Sequence, residues 1–140
     1  MFYRSLFIIL FFICGSASAF QFPLEIIDYM DNSRIIIYAN KSDINQSPRW
    51  AITDNTPPPL TISSLISKVN KWTVQQKDLQ DARVNEIELK KMQQHEKDNY
   101  WYYLVQLKST QAAKNKNIHY IAVLMNGKIL TAIKEPSSYK

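Results

Sequence analysis

The chain has 140 residues, with 17 Lys or Arg against 12 Asp or Glu, a net charge of +5 and a pI near 9.3. That length suits one domain, and the single cysteine excludes an internal disulfide. Basic residues are scattered as singles and pairs, the pattern of a solvated surface and not of a nucleic-acid tract.

The first predicted element is a cleavable export signal over residues 1–19. Arg4 precedes an uncharged apolar run over residues 6–13, and the small residues Gly15 to Ala19 follow. Ala17 and Ala19 supply the A-x-A pattern that fits a signal peptidase. The run is far shorter than the roughly 20 residues that span a bilayer as a helix, so no stable membrane span is expected after cleavage. Cys14 does not make a lipoprotein, because that pattern wants a small residue before it and Leu three before, where Ile13 and Phe11 stand. Cleavage leaves a mature chain from Phe20 with 121 residues, a net charge of +4 and no cysteine. The expected location is the periplasm of a bacterium or the outside of the cell.

Residues 20–57 read as an amino-terminal extension with one strand and a Pro-rich loop. Its mixed start contains Ile26-Ile27, and residues 34–39 (R-I-I-I-Y-A) suit a strand. Residues 40–59 read as a loop ending in Pro57-Pro58-Pro59, with Trp50 too large and apolar to stay off the core.

The remainder, residues 58–140, reads as a small α+β domain. Thr61 suits an N-cap, and Ile62, Leu65, Ile66, Val69 and Trp72 fall on one stripe of an amphipathic helix over residues 61–73. Strands are expected over residues 84–92, 100–108, 118–125 and 128–134, the last two flanking the hairpin signal Asn126-Gly127. The expected architecture is one helix packed on a four- to five-stranded antiparallel meander.

A two-residue turn would pair Met125 with Lys128, Val123 with Leu130 and Leu124 with Ile129, leaving the hairpin apolar on both faces. The preceding strand is likewise apolar on both sides. The helix can cover one face. The other needs the amino-terminal segment, a second subunit or a partner, which makes Tyr100, Tyr102, Leu104, Tyr120, Leu124 and Ile129 the candidate partner-binding surface.

Reactive chemistry finds little support in the sequence. His95 and Glu96 open an H-E-x-x-H pattern whose fifth position is Asn99, so the second zinc ligand is missing. His119 reads as a strand-end residue opposite Lys134. No G-x-S-x-G elbow occurs, and the only glycine after the signal, Gly127, is explained by the hairpin. The carboxylate pairs Asp28 and Asp31, Asp78 and Asp81, and Glu86 and Glu88 read as surface. No catalytic residue, metal or cofactor is expected. Asn40-Lys41-Ser42 and Asn45-Gln46-Ser47 match the glycosylation acceptor pattern, which matters only in a eukaryotic secretory pathway.

The P-P-P-L lead into the helix, the central W-Y-Y-L-V strand and the V-L-M-N-G-K-I-L hairpin, in that order, resemble the PepSY class of small exported bacterial domains. The resemblance covers about residues 58–134, and the hairpin departs from the commoner D-A-x-T-G. It implies a helix on an antiparallel sheet, and a protein that binds or restrains other envelope proteins, often peptidases. The topology is also similar to that of cystatins if residues 34–39 join the sheet, although their Q-x-V-x-G loop is absent. The expected function is therefore a non-catalytic protein-binding or inhibitory module. Its partner would be another envelope protein or a second copy of the chain, and not nucleic acid. The contrasting expectations are an envelope hydrolase with an unfamiliar site around His119 and Glu135, and a structural component of an envelope assembly.

Overall fold

A computed structural model of the protein describes residues 21–28, 33–93, 99–110 and 117–136. The expected signal, with Ala17 and Ala19, and His95 lie outside these residues.

The chain forms β1 (Gln21–Asp28), β2 (Ser33–Asn40), α1 (Lys41–Gln46), a 3₁₀ turn (Ile52–Asp54), α2 (Ile62–Gln75), β3 (Arg83–Lys91), β4 (Trp101–Lys108), β5 (Ile118–Leu124) and β6 (Ile129–Pro136). The strands make one antiparallel sheet in the order β1-β2-β6-β5-β4-β3, curled into a half-barrel. The α+β class stands. The expected four to five strands are corrected to six, because Gln21–Asp28 pairs along the whole of β2. A bulge between Pro23 and Glu25 breaks the period-two pattern of β1, which hid it in the sequence. Residues 34–39 do join the sheet, and they do so beside β6.

The expected loop over residues 40–59 begins instead with a short helix. Asn40 takes the extended N-cap conformation, and its backbone N–H donates to Asp43 Oδ2 at 3.4 Å. Asp43 also accepts from Lys128, which ties α1 to the β5–β6 turn. α2 starts as its cap predicts, with Ser64 N–H donating to Thr61 Oγ1 at 3.3 Å. Its buried line runs through Leu65, Val69 and Thr73, while Ile62 at the edge of the expected stripe is 46% exposed.

The hairpin loop has three residues, not two. Leu124 N–H donates to the Lys128 carbonyl at 2.9 Å and Gly127 N–H to the Leu124 carbonyl at 2.8 Å. Of the two turn residues only Gly127 is left-handed, with φ 85°, the pattern of a hairpin loop closed by a glycine bulge. Val123 therefore pairs with Ile129, Ala122 with Leu130 and Ile121 with Thr131, one residue off the expected register. A one-residue slip exchanges faces, so Ile129 packs with the α2 side and not with Leu124.

Two apolar layers result. On the convex face Leu60, Leu65, Val69 and Trp72 cover Tyr103, Val105, Leu107, Ile121, Val123 and Ile129. The concave face gathers Tyr100, Tyr102, Leu104, Ala122, Leu124 and Leu130 with Ile37, Ala39, Ile44 and Met92, closed by Phe22, Leu24 and Ile27 of β1. Burial of these two aliphatic and aromatic layers is the main source of the fold's stability.

Candidate functional site

The residues expected to form a contact surface are mostly core. Tyr100, Tyr102, Leu104 and Leu124 are together on the concave face and buried. Tyr120 joins them, half-buried, and its hydroxyl accepts from Gln106 Nε2 at 2.8 Å. Ile129 lies on the opposite face under α2. The second apolar face is thus closed by the chain's own β1, β2 and α1, which leaves four of the six residues buried and Tyr120 and Ile129 half-buried.

The curl of the sheet brings its two edge strands, β1 and β3, toward each other. Across that seam Lys90 Nζ lies 2.6 Å from Glu25 Oε2, and the Tyr102 hydroxyl donates to the same oxygen at 2.6 Å. Burial, and next the bond to Glu25, push the Tyr102 phenol far above its ordinary range, so it stays a donor well into alkaline solution. A cleft of about 130 Å³ follows the seam, lined by Phe22, Leu24, Glu25, Ile44, Lys90 and Met92. Small-molecule pockets occupy roughly 300–1,000 Å³. The seam is thus a packing defect beside an ionic clasp, too small for a typical ligand.

Asp81 and Glu135 are likewise engaged. Asp81 accepts from Ser109 Oγ at 2.7 Å and Thr110 N–H at 2.8 Å, fastening the turn before β3 to the end of β4. Glu135 pairs with Arg34 at 3.4 Å. The β5–β6 register, in which Ile121 faces Thr131, puts His119 in line with Ile133 and so corrects the expected pairing of His119 with Lys134. Among the described residues no three His, Cys, Asp or Glu side chains come together as metal ligands. Trp50 packs edge-on against Trp101, ring centroids 5.7 Å apart, and its carbonyl accepts from Trp101 Nε1 at 2.8 Å.

Part of the convex face is not covered by α2. α2 shields β3, β4, β5 and the start of β6, but β1, β2 and the rest of β6 lie beyond it. There the register aligns Ile26, Ile36 and Ile133 in a row across three strands. Ile26 is 51% and Ile133 52% exposed, with Ile36 buried between them. The Arg34–Glu135 pair lies beside the row. In the sequence Ile26 stands out only as half of an apolar pair with Ile27. The row itself needs β1, β2 and β6 to be neighbours, which no local pattern reveals.

No family model matches the chain, and neither a curated protein nor a solved structure matches it. Among the described residues no helix is long and apolar enough to cross a membrane.

Proposed function

We propose that the chain is an exported, non-catalytic protein-binding module of the PepSY type that meets its partner through the row in which the exposed Ile26 and Ile133 flank Ile36. The observation that carries this reading is the placement of Ile26 and Ile133, each about half exposed, in register on either side of the buried Ile36. Isolated exposed apolar residues are ordinary, but Ile26 and Ile133 lie in register on one face, two strands apart, which supports a shared contact site. Glu25, Asp43, Asp81 and Glu135 each hold a structural contact, which supports binding over hydrolysis. The export reading rests on Ala17 and Ala19 and the apolar run before them, and the PepSY likeness on motif order.

Two exposed side chains alone cannot supply the roughly 800 Å² per partner of a standard interface, so the contact extends onto neighbouring polar surface and is of modest affinity. The test is capture of envelope proteins by the tagged protein and by two variants. Ile133→Asp should abolish the capture. Val74→Asp, on the solvent side of α2 and 63% exposed, should leave it intact. Equal capture by all three proteins would sink the reading.

A further inference from the structure

The concave aromatic face is closed in part by β1, an edge strand held on one side by β2 and across the seam by side chains. It hydrogen-bonds to one neighbour, β2, and forms an edge of the sheet. Across the seam to β3 and β4, polar groups of Lys90 and Tyr102 hold it. Two contacts of 2.6 Å reach Glu25, and the Tyr102 hydroxyl lies 3.4 Å from the Leu24 carbonyl. The cleft of about 130 Å³ runs along the same line. Beneath β1, Phe22, Leu24 and Ile27 pack on the layer that contains Tyr102, Met92 and Ile44.

The groove under β1 therefore has a defined requirement. It takes an extended segment that places apolar side chains against Tyr102, Met92 and Ile44 and a carboxylate beside Lys90. The segment that meets this requirement is β1, and every other copy of the chain carries the same segment. We infer that two copies can exchange β1, each strand lying in the groove of the other copy and giving its Glu25 to the Lys90 and Tyr102 found there.

Exchange restores in the pair every interaction that opening the closed monomer breaks, so the balance is set mainly by concentration and by strain at the crossing point. Simple edge-to-edge stacking of β1 is opposed by Pro23 and by the bulge at Leu24, both devices that blunt an edge. Exchange is thus the route by which this strand joins two molecules. The inference is independent of the open row on the convex face.

The experiment refolds the full 140-residue chain at rising concentration from an equal mixture of ¹⁵N-labelled and unlabelled protein. Monomer and dimer are separated with light-scattering detection. Each fraction is treated with a carbodiimide, which joins a carboxylate to an amine already in contact. The expected result is a species of doubled mass in which Glu25–Lys90 cross-links join labelled to unlabelled chains, while monomer cross-links carry a single label. Lys90→Arg keeps the ion pair but should remove the cross-link from both fractions. Monomer at every concentration, a dimer whose Glu25–Lys90 links stay within one label, or no such link in either fraction would overturn the inference. So would loss of the dimer in Ile133→Asp, since that would make the open row the cause of association. Exchange that persists in Ile133→Asp while capture is lost leaves the two readings standing separately.

Discussion

Tyr102 joins the two halves of the molecule through one hydroxyl. Its ring is core, and its oxygen donates to Glu25 on β1. Tyr103, next to it and on the opposite face, donates to the Leu60 carbonyl at 2.8 Å, and burial raises its phenol too. The folded chain holds both protons more tightly than the unfolded chain does. Stability is therefore complete below the ordinary phenol value of 10.0 and falls as pH rises past it. Urea denaturation across that range should show this decline, and Tyr102→Phe should make it shallower while costing about 1 kcal/mol at neutral pH. A slope unchanged in Tyr102→Phe would show that Tyr102 has no part in the decline. Gly127 offers a second test of a single residue. A Cβ there would come within 2.7 Å of Lys68 Cε, the flexible end of a side chain that can move, but the φ of 85° is strained for any L residue. Gly127→Ala should cost about 1–3 kcal/mol by chemical denaturation, and Gly127→Asn less, since Asn tolerates that region. The dipeptide Asn126-Gly127 announced this turn, yet it did not reveal whether the loop held two residues or three. That single residue decides which face Ile129 occupies.

For helices and strands, legibility followed periodicity. The stripe Leu65, Val69 and Trp72 behind Thr61 is strong enough to locate α2 within about two residues. Leu65→Ala should cost about 2–5 kcal/mol, because Leu65 is fully buried between helix and sheet. Ile62→Ala, at the exposed end of the same stripe, should cost far less. Short or interrupted elements were harder to see. α1 is six residues long, and its signal was limited to Asn40 with Asp43 three residues on, a cap pattern easily absorbed into a polar loop. Asp43→Ala should destabilise the protein by about 1–3 kcal/mol, because it removes the acceptor for the Asn40 N–H and leaves Lys128 without its partner. β1 escaped for the opposite reason. It contains enough apolar residues, but the bulge at Leu24 puts Phe22, Leu24 and Ile27 on one face at spacings that match neither strand nor helix.

For the fold taken together, β1 and β2 change the meaning of the sequence. The strands β4 to β6 are apolar on both faces, a fact plain from the residues, and a free second face looked like a binding surface. Curling the sheet allows the first part of the chain to close that face, so the aromatic cluster becomes core and the Glu25–Lys90 clasp forms at the seam. The exposed apolar surface moves to the far side, where Ile26 and Ile133 flank Ile36 beyond the reach of α2. This relocation was illegible from local patterns because it depends on β2 pairing with β6 across about a hundred residues of chain, a contact set by topology. A partner that docks on this open face, and not on the concave one, is detected most directly by carbene footprinting. The tagged protein is labelled both free and on its captured envelope partner. Protection on binding is expected at Ile26 and Ile133, with Tyr102 and Leu104 unlabelled in both states. Labelling of Tyr102 or Leu104 in the free protein that disappears on binding, with Ile26 and Ile133 unchanged, would contradict docking on the open face.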